Sequence, residues 1–251
     1  MTLDRFFKEH PRAALAFSGG VDSAYLLWAG VQAGAEVRPY FIKTPFQPQF
    51  ELEDARRLCT QLGVELVVIR FDVLTDPQTA ANPADRCYYC KKRLFTLLRE
   101  RAAADGFSVL LDGTNASDDA GDRPGMRALR ELEVRSPLRE CGLTKERIRT
   151  LSRQAGLFTW DKPSYACLAT RVPAGRTITR EDLEKVERGE GALSGLGFRD
   201  FRLRLTQNGC KLQVTENQIS LALDQRTDIL AALEPDFSEI TLDMRLRAVK
   251  D

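Results

Sequence analysis

Short apolar runs alternate with amphipathic stretches through the first two thirds of the chain. Residues 13–17 (AALAF), 37–43 (VRPYFIK), 64–72 (VELVVIRFD) and 108–112 (SVLLD) are short, apolar and partly β-branched, which predicts four buried strands. Helical spacing predicts helices near 23–33, 48–62 and 83–104. A further helix is expected over 144–155, with Thr144 as N-cap and Gly156 as the stop. Strand–helix alternation of this kind predicts an α/β fold with a parallel sheet covered on both faces. Ligands of such sheets sit beyond the carboxyl ends of the strands, so the loops that follow strands are where function is expected.

After Trp160 the texture changes. Residues 161–175 (DKPSYACLATRVPAG) hold two prolines and no periodicity, and read as a loop. A helix near 180–193, strands over 201–205 and 211–214 around Asn208-Gly209, a helix near 216–233 and a strand over 239–244 predict a small α+β domain. The expected division is therefore 1–160, a linker or active-site loop 161–177, and a second domain 178–251.

Composition narrows the function. In 251 residues, 37 Lys and Arg face 36 Asp and Glu, a formal net charge of +1. That balance argues against a chain built mainly to neutralise a long phosphate backbone, so no nucleic-acid partner is expected. No apolar run approaches the ~20 residues of a membrane helix, and the start lacks a secretory pattern, which predicts a cytoplasmic protein. Six cysteines in a chain this long do not suggest a disulfide framework. The single histidine, His10, precedes Pro11 and is expected at the surface, so chemistry that needs a histidine base is disfavoured.

The most informative hexapeptide is SGGVDS, residues 18–23, which follows the first strand and opens a helix. Gly19 and Gly20 let the backbone turn sharply, and the helix N-terminus beginning at Val21 adds partial positive charge, a combination suited to anions. Ser18 and Ser23 can donate hydroxyl hydrogen bonds, and Asp22 can hold Mg²⁺ beside phosphates. No Gly-Lys-Ser/Thr is present, so this is not a Walker A loop. The hexapeptide resembles the pyrophosphate loop of the PP-loop ATP pyrophosphatases, which implies ATP as cosubstrate, cleaved to AMP and pyrophosphate. Asp112-Gly113-Thr114-Asn115 follows the fourth strand, where Gly113, Thr114 and Asn115 are expected to complete the nucleotide site.

The runs DGTNASDDAGDRPGMRALRELEVRSPL, GLTKERIRTLSRQAGL and WDKPSYACLATRVPAGRTIT resemble, across nearly the whole chain, the LarE family of pyridinium-cofactor sulfur transferases. The resemblance implies adenylation of a carboxylate of pyridinium-3,5-biscarboxylic acid mononucleotide and its conversion to a thiocarboxylate, a step toward the nickel-pincer nucleotide of lactate racemase. It places the sulfur-bearing cysteine at Cys167, with Lys162 and Arg171 near enough in sequence to lower its pKa. It also places substrate or phosphate ligands at Glu190, Arg202 and Arg204, with Arg171 expected to meet substrate as well. Arg123 is a further residue expected to reach nucleotide or substrate. A homo-oligomer and a sulfide donor are expected partners by the same analogy.

Cys87 and Cys90 form a CxxC that by itself leaves several readings open: a redox pair, half a zinc site or coincidence. Together with Cys167 they supply three thiolates, enough for a [4Fe–4S] cluster with one open iron, and this is the favoured reading. The alternative is sacrifice of the Cys167 sulfur. Cys59, Cys141 and Cys210 are assigned no chemistry. Other functions remain in contention: a tRNA thiolase, an ammonia-dependent amide ligase, and an ATP-binding regulatory module without turnover.

Overall fold

The structure, a computed structural model, describes residues 1–118 and 124–247. Its first half runs α1 (Leu3–Glu9), β1 (Arg12–Ala16), α2 (Val21–Gln32), β2 (Glu36–Lys43), α3 (Gln49–Leu62), β3 (Val67–Arg70), α4 (Pro77–Ala80), α5 (Arg86–Ala104) and β4 (Leu110–Leu111). It continues through α6 (Pro124–Glu131), α7 (Pro137–Glu140), α8 (Lys145–Gln154), α9 (Arg180–Gly195), β5 (Arg202–Leu205), β6 (Gly209–Gln213), α10 (Ile219–Asp224), α11 (Arg226–Leu233) and β7 (Glu239–Leu242). Two compact units result. One comprises Met1–Asp72 with Asp85–Lys162; the other comprises Val73–Ala84 with the chain from Pro163 onward.

In the first unit four parallel strands lie in the order β3-β2-β1-β4. Alternation along β1 explains the two buried faces. Ala13 and Leu15 join Phe6, Phe7, Leu26, Leu27, Leu58 and Ile148 in one cluster, while Ala14 joins Tyr40, Leu98, Ala102 and Phe107 in another. The first cluster draws on α1, α2, α3 and α8; the second uses α5. The α/β fold expected from the strand–helix alternation is the one observed. Because β1 and β4 are neighbours, paired Leu15 to Leu111, the loops that leave their carboxyl ends emerge side by side.

Several expected boundaries shift for identifiable reasons. The strand expected at 64–72 is pared to Val67–Arg70, the residues that pair with Tyr40–Lys43 of β2. The helix expected at 83–104 begins at Arg86, with Asp85 as its N-cap residue. Helix α1 has no periodic signature because its buried residues, Phe6 and Phe7, are adjacent in a seven-residue segment. Thr144 caps α8 as expected, accepting from Arg147 N at 3.3 Å, and Gly156 follows at φ 67°. The helix expected at 216–233 is broken at Gln225, whose φ and ψ of −96° and 20° are not helical.

The second unit has a three-stranded sheet, β5-β6-β7, with β5 antiparallel to β6 and β6 parallel to β7. Leu203, Leu212, Val186, Leu193 and Leu233 are buried in it. The aperiodic segment after Pro163 is packed as well, with Leu168 and Ala169 fully buried. The stretch around α4 holds that segment in place: Asn82 Nδ2 donates to Pro173 O at 2.8 Å, and Gly175 N donates to Asn82 O at 2.9 Å.

Candidate functional site

The loop after β1 is built around an uncapped helix end. No side chain caps α2, whose first helical acceptor, Gly20 O, takes the Ala24 N–H at 2.9 Å. The N–H groups of Val21, Asp22 and Ser23 precede that bond, at the positive end of the helix dipole. Ser18 and Ser23 brace the turn, their hydroxyl oxygens 3.1 Å apart, with Ser23 Oγ also donating to Gly20 O at 3.2 Å. Gly19 turns through φ 70°, and a Cβ there would lie 3.2 Å from Glu51 O and 3.3 Å from Ala55 N of α3. Glycine is required on both counts.

The loop after β4 closes against this one. A Cβ on Gly113 would sit 3.0 Å from Ser23 N, so the two loops touch backbone to backbone. Asp112 organises the second loop: its carboxylate accepts from Ser136 Oγ at 2.6 Å, from Thr114 N at 3.3 Å and from the Thr114 hydroxyl. Asn115, 2% exposed, donates through Nδ2 to Asp22 Oδ1 at 3.3 Å and accepts Ser117 N at 2.8 Å. Asn115 thus ties the two loops together and Thr114 shapes the second, while the backbone of residues 21–23 offers the donors.

Lys145, the first residue of α8, places Nζ 2.5 Å from Asp22 Oδ2. Burial pushes the Asp22 carboxyl above the usual carboxylate range, opposed by Lys145 and reinforced by the nearby charge of Asp118. Neither Lys145 nor Asp118 was singled out from the sequence. A signal was available, since a lysine at the first turn of a helix opposes the macrodipole and calls for another reason to be there. Lys162, expected beside Cys167, instead directs its ammonium to Asp54 Oδ2 at 2.6 Å and to Gly19 O at 3.5 Å.

The second unit holds a cluster of arginines. Arg171, with a fully buried side chain, places Nε 2.8 Å from Glu190 Oε1 and Nη2 3.0 Å from Glu190 Oε2. Glu190 also accepts the Tyr165 hydroxyl at 2.5 Å and Leu203 N at 2.9 Å. Both residues expected to meet substrate are therefore occupied with each other. Arg171 Nη1 holds Ala166 O at 2.8 Å and so fixes the backbone next to Cys167. Arg202 and Arg204 lie two apart on β5, and their face is not a solvated one: Arg202 is 6% exposed.

Their acceptors are largely uncharged. Arg202 donates to Phe201 O and Ser164 O, both at 2.5 Å, with the Asp200 carboxylate farther off at 3.7 Å. Arg204 donates to Gln213 Oε1 at 2.5 Å and Thr170 O at 2.6 Å. Burial, then the charge of Arg171, pushes Arg202 down to about 10 and lowers Arg204 too. A guanidinium keeps its charge at neutral pH, so the unit carries one buried and one half-buried positive charge suited to an anionic ligand.

All six cysteines are thiols. Cys87 is exposed and Cys90 half-buried; three residues apart near the start of α5, they share one helix face. Cys167, half-buried, precedes the short 3-10 turn Leu168–Arg171. Cys59 and Cys210 are core residues whose thiols burial pushes up to about 12. Among the described residues no three His, Cys, Asp or Glu side chains are gathered as a metal site. Arg123 lies outside the described residues. His10 is half-buried, its ring 4.7 Å from that of Phe6. No helix among the described residues is long and apolar enough to cross a membrane.

No protein-family model matches this chain. Among curated proteins, an uncharacterized protein of Synechocystis sp. is 36% identical over 218 residues, 86% of this chain and 81% of its own length. The pyridinium-3,5-bisthiocarboxylic acid mononucleotide synthase of Lactiplantibacillus plantarum is 30% identical over 246 residues, 97% of this chain and 89% of that protein. The glutamine-hydrolyzing GMP synthase of Aeropyrum pernix is 30% identical over 200 residues, 71% of this chain but only 38% of that protein.

Proposed function

We propose that this chain, which belongs to the LarE family of pyridinium-3,5-bisthiocarboxylic acid mononucleotide synthases, is an ATP-dependent sulfur transferase. Its substrate would be a pyridinium mononucleotide bearing two carboxylates, and its product the corresponding thiocarboxylate. The observation that carries the ATP half is the uncapped start of α2 inside the braced loop 18–23, with Gly113 packed against Ser23.

A carboxylate oxygen is a poor leaving group, so sulfur cannot displace it until it is activated. In the proposed first step the substrate carboxylate attacks the α-phosphorus of ATP and pyrophosphate departs. The N–H groups of residues 21–23 and the ammonium of Lys145 receive the charge on the leaving pyrophosphate. Asp22 would hold Mg²⁺, which suits its oxygen donors and the neighbouring Asp118 carboxylate. Arg202 and Arg204 bind and orient the substrate, whose phosphate and second carboxylate match two guanidinium groups with largely uncharged acceptors.

In the second step a sulfur nucleophile attacks the acyl adenylate and AMP leaves, which makes Cys167 the residue on which sulfur delivery depends. Cys87, Cys90 and Cys167 are the ligands a [4Fe–4S] cluster would use, and when bound it would supply a carried sulfide. The placement of two thiols on one face of α5 supports that reading. A sulfide-donating partner and a homo-oligomer belong to the same proposal. So does restriction to a small-molecule substrate rather than RNA, which the near-neutral charge supports.

The test is pyrophosphate release and product mass with ATP, Mg²⁺ and the dicarboxylate mononucleotide. Asp22→Asn should stop pyrophosphate release in a folded protein. Cys167→Ala should still release pyrophosphate yet yield no thiocarboxylate. Product at normal yield from Cys167→Ala refutes the sulfur route. A protein that loses the mass of one H₂S after a single turnover identifies Cys167 itself as the donor.

A further inference from the structure

The phosphate loop has a second ammonium close by, and its placement is indirect. Lys162 Nζ lies 2.6 Å from Asp54 Oδ2 and 3.5 Å from Gly19 O, with its side chain only 16% exposed. Asp54 belongs to α3, the helix against which Gly19 packs. The backbone of Lys162, whose own N–H donates to Thr159 O at 3.1 Å, is gripped from α8 by Arg149. Its Nη1 donates to Trp160 O at 2.7 Å and its Nη2 to Lys162 O at 3.1 Å. The guanidinium fork fits two carbonyl oxygens at once, which a single ammonium cannot reproduce. Helix α8 therefore serves the loop twice: directly, through Lys145 on Asp22, and at one remove, through the carbonyls Arg149 grips.

We propose that Lys162 is a nucleotide-phosphate ligand that rests on Asp54 until ATP arrives, and that Arg149 is a positioning residue acting through it. The inference rests on loop 18–23 being the ATP site. A triphosphate brings more negative charge than Lys145, already engaged with Asp22, can neutralise. An ammonium drawn from water, over the Phe50 ring at 5.3 Å and paired with one carboxylate beside the loop carbonyl, is ready to exchange that carboxylate for a phosphate oxygen. Asp54 meanwhile keeps the partly buried charge of Lys162 compensated in the absence of ATP.

The test is titration of the full chain with ATP and Mg²⁺, comparing wild type, Lys162→Met, Arg149→Met, Arg149→Lys and the double Arg149→Met/Lys162→Met variant. Lys162→Met should weaken ATP binding by about tenfold or more, as expected for loss of one charge-assisted contact. Arg149→Met should weaken it too, Arg149→Lys should fail to restore it, and the double variant should bind no more weakly than Lys162→Met, within about twofold. Arg153→Met is the control for a purely structural effect, because Arg153 stacks on Trp160 at 4.8 Å from the same helix without touching the carbonyl of Lys162. It should leave ATP affinity unchanged whatever it does to melting. Additive losses in the double variant, unchanged affinity in Lys162→Met, or a loss in Arg153→Met equal to that in Arg149→Met would each overturn the inference. Wild-type protein that does not bind ATP at all removes the site itself, a failure distinct from these three.

Discussion

Lys145 and Asp22, 123 residues apart, meet at 2.5 Å and tie the start of α8 to the start of α2. Burial raises the Asp22 carboxyl, Asp118 raises it further and Lys145 opposes both. Metal binding needs the carboxylate form, so acidification should cost pyrophosphate release at a pH above the ordinary carboxylate range. Lys145→Met removes the opposing charge, and its acid limb should lie still closer to neutrality. The pH profile of kcat/KM for pyrophosphate release in both proteins decides it; superimposable acid limbs would speak against the coupling.

Glu190 is the carboxylate partner of the enclosed Arg171 guanidinium. Glu190→Gln should therefore destabilise the protein by about 3 kcal/mol, since it leaves a charge uncompensated in the interior. The paired replacement Arg171→Met/Glu190→Met should be less damaging than Glu190→Gln alone. Urea denaturation of the three proteins is the measurement, and a double variant that is the least stable would contradict the account.

Two glycines give opposite expectations. At Gly113 an added Cβ meets Ser23 N at 3.0 Å and Ser23 Cα at 3.3 Å, backbone atoms with nowhere to move. Gly113→Ala should cost about 1–3 kcal/mol and weaken ATP binding by displacing the start of α2. Gly191, on α9, has nothing within 4 Å of its would-be Cβ. There alanine should stabilise by about 0.5–1 kcal/mol and leave ATP binding alone. Thermal melts and ATP titrations separate the two.

For the cluster, anaerobic reconstitution followed by iron and sulfide analysis should give about four irons per chain in the wild type. Cys87→Ser and Cys90→Ser should each lose most of it, whereas Cys59→Ala, a core change, should keep it. Iron-free wild type, or equal loss in Cys59→Ala, would exclude this ligand set.

The parts of the molecule legible in the sequence are those written locally. Apolar runs and glycine turns fix β1, β2, α3 and the loop at residues 18–23, because each depends on neighbours a few positions away. The Thr144 cap was legible for the same reason. Contacts that bridge long stretches were not: no spacing rule links Lys145 to Asp22, Arg149 to the carbonyls at 160 and 162, or Arg171 to Glu190. Lys162 illustrates the difference. Proximity in sequence pointed it toward Cys167, but the backbone grip of Arg149 and the Asp54 carboxylate hold it at Gly19. Strand alternation puts the arginines of β5 on one face, but nothing local shows that Arg202 is buried there and Arg204 half-buried.

The excursion of Val73–Ala84 out of the first unit and back has a practical consequence. The protein cannot be divided at residue 162 into two self-sufficient pieces. A downstream fragment would lack the Asn82 amide that grips the carbonyls at 172 and 173. The upstream fragment would be left with Thr79 and Asn82, fully enclosed in the intact chain, exposed as loose ends. The backbone is laced rather than modular, and a gene fusion or truncation that respects only the apparent boundary in the sequence would unpick the segment that presents Cys167.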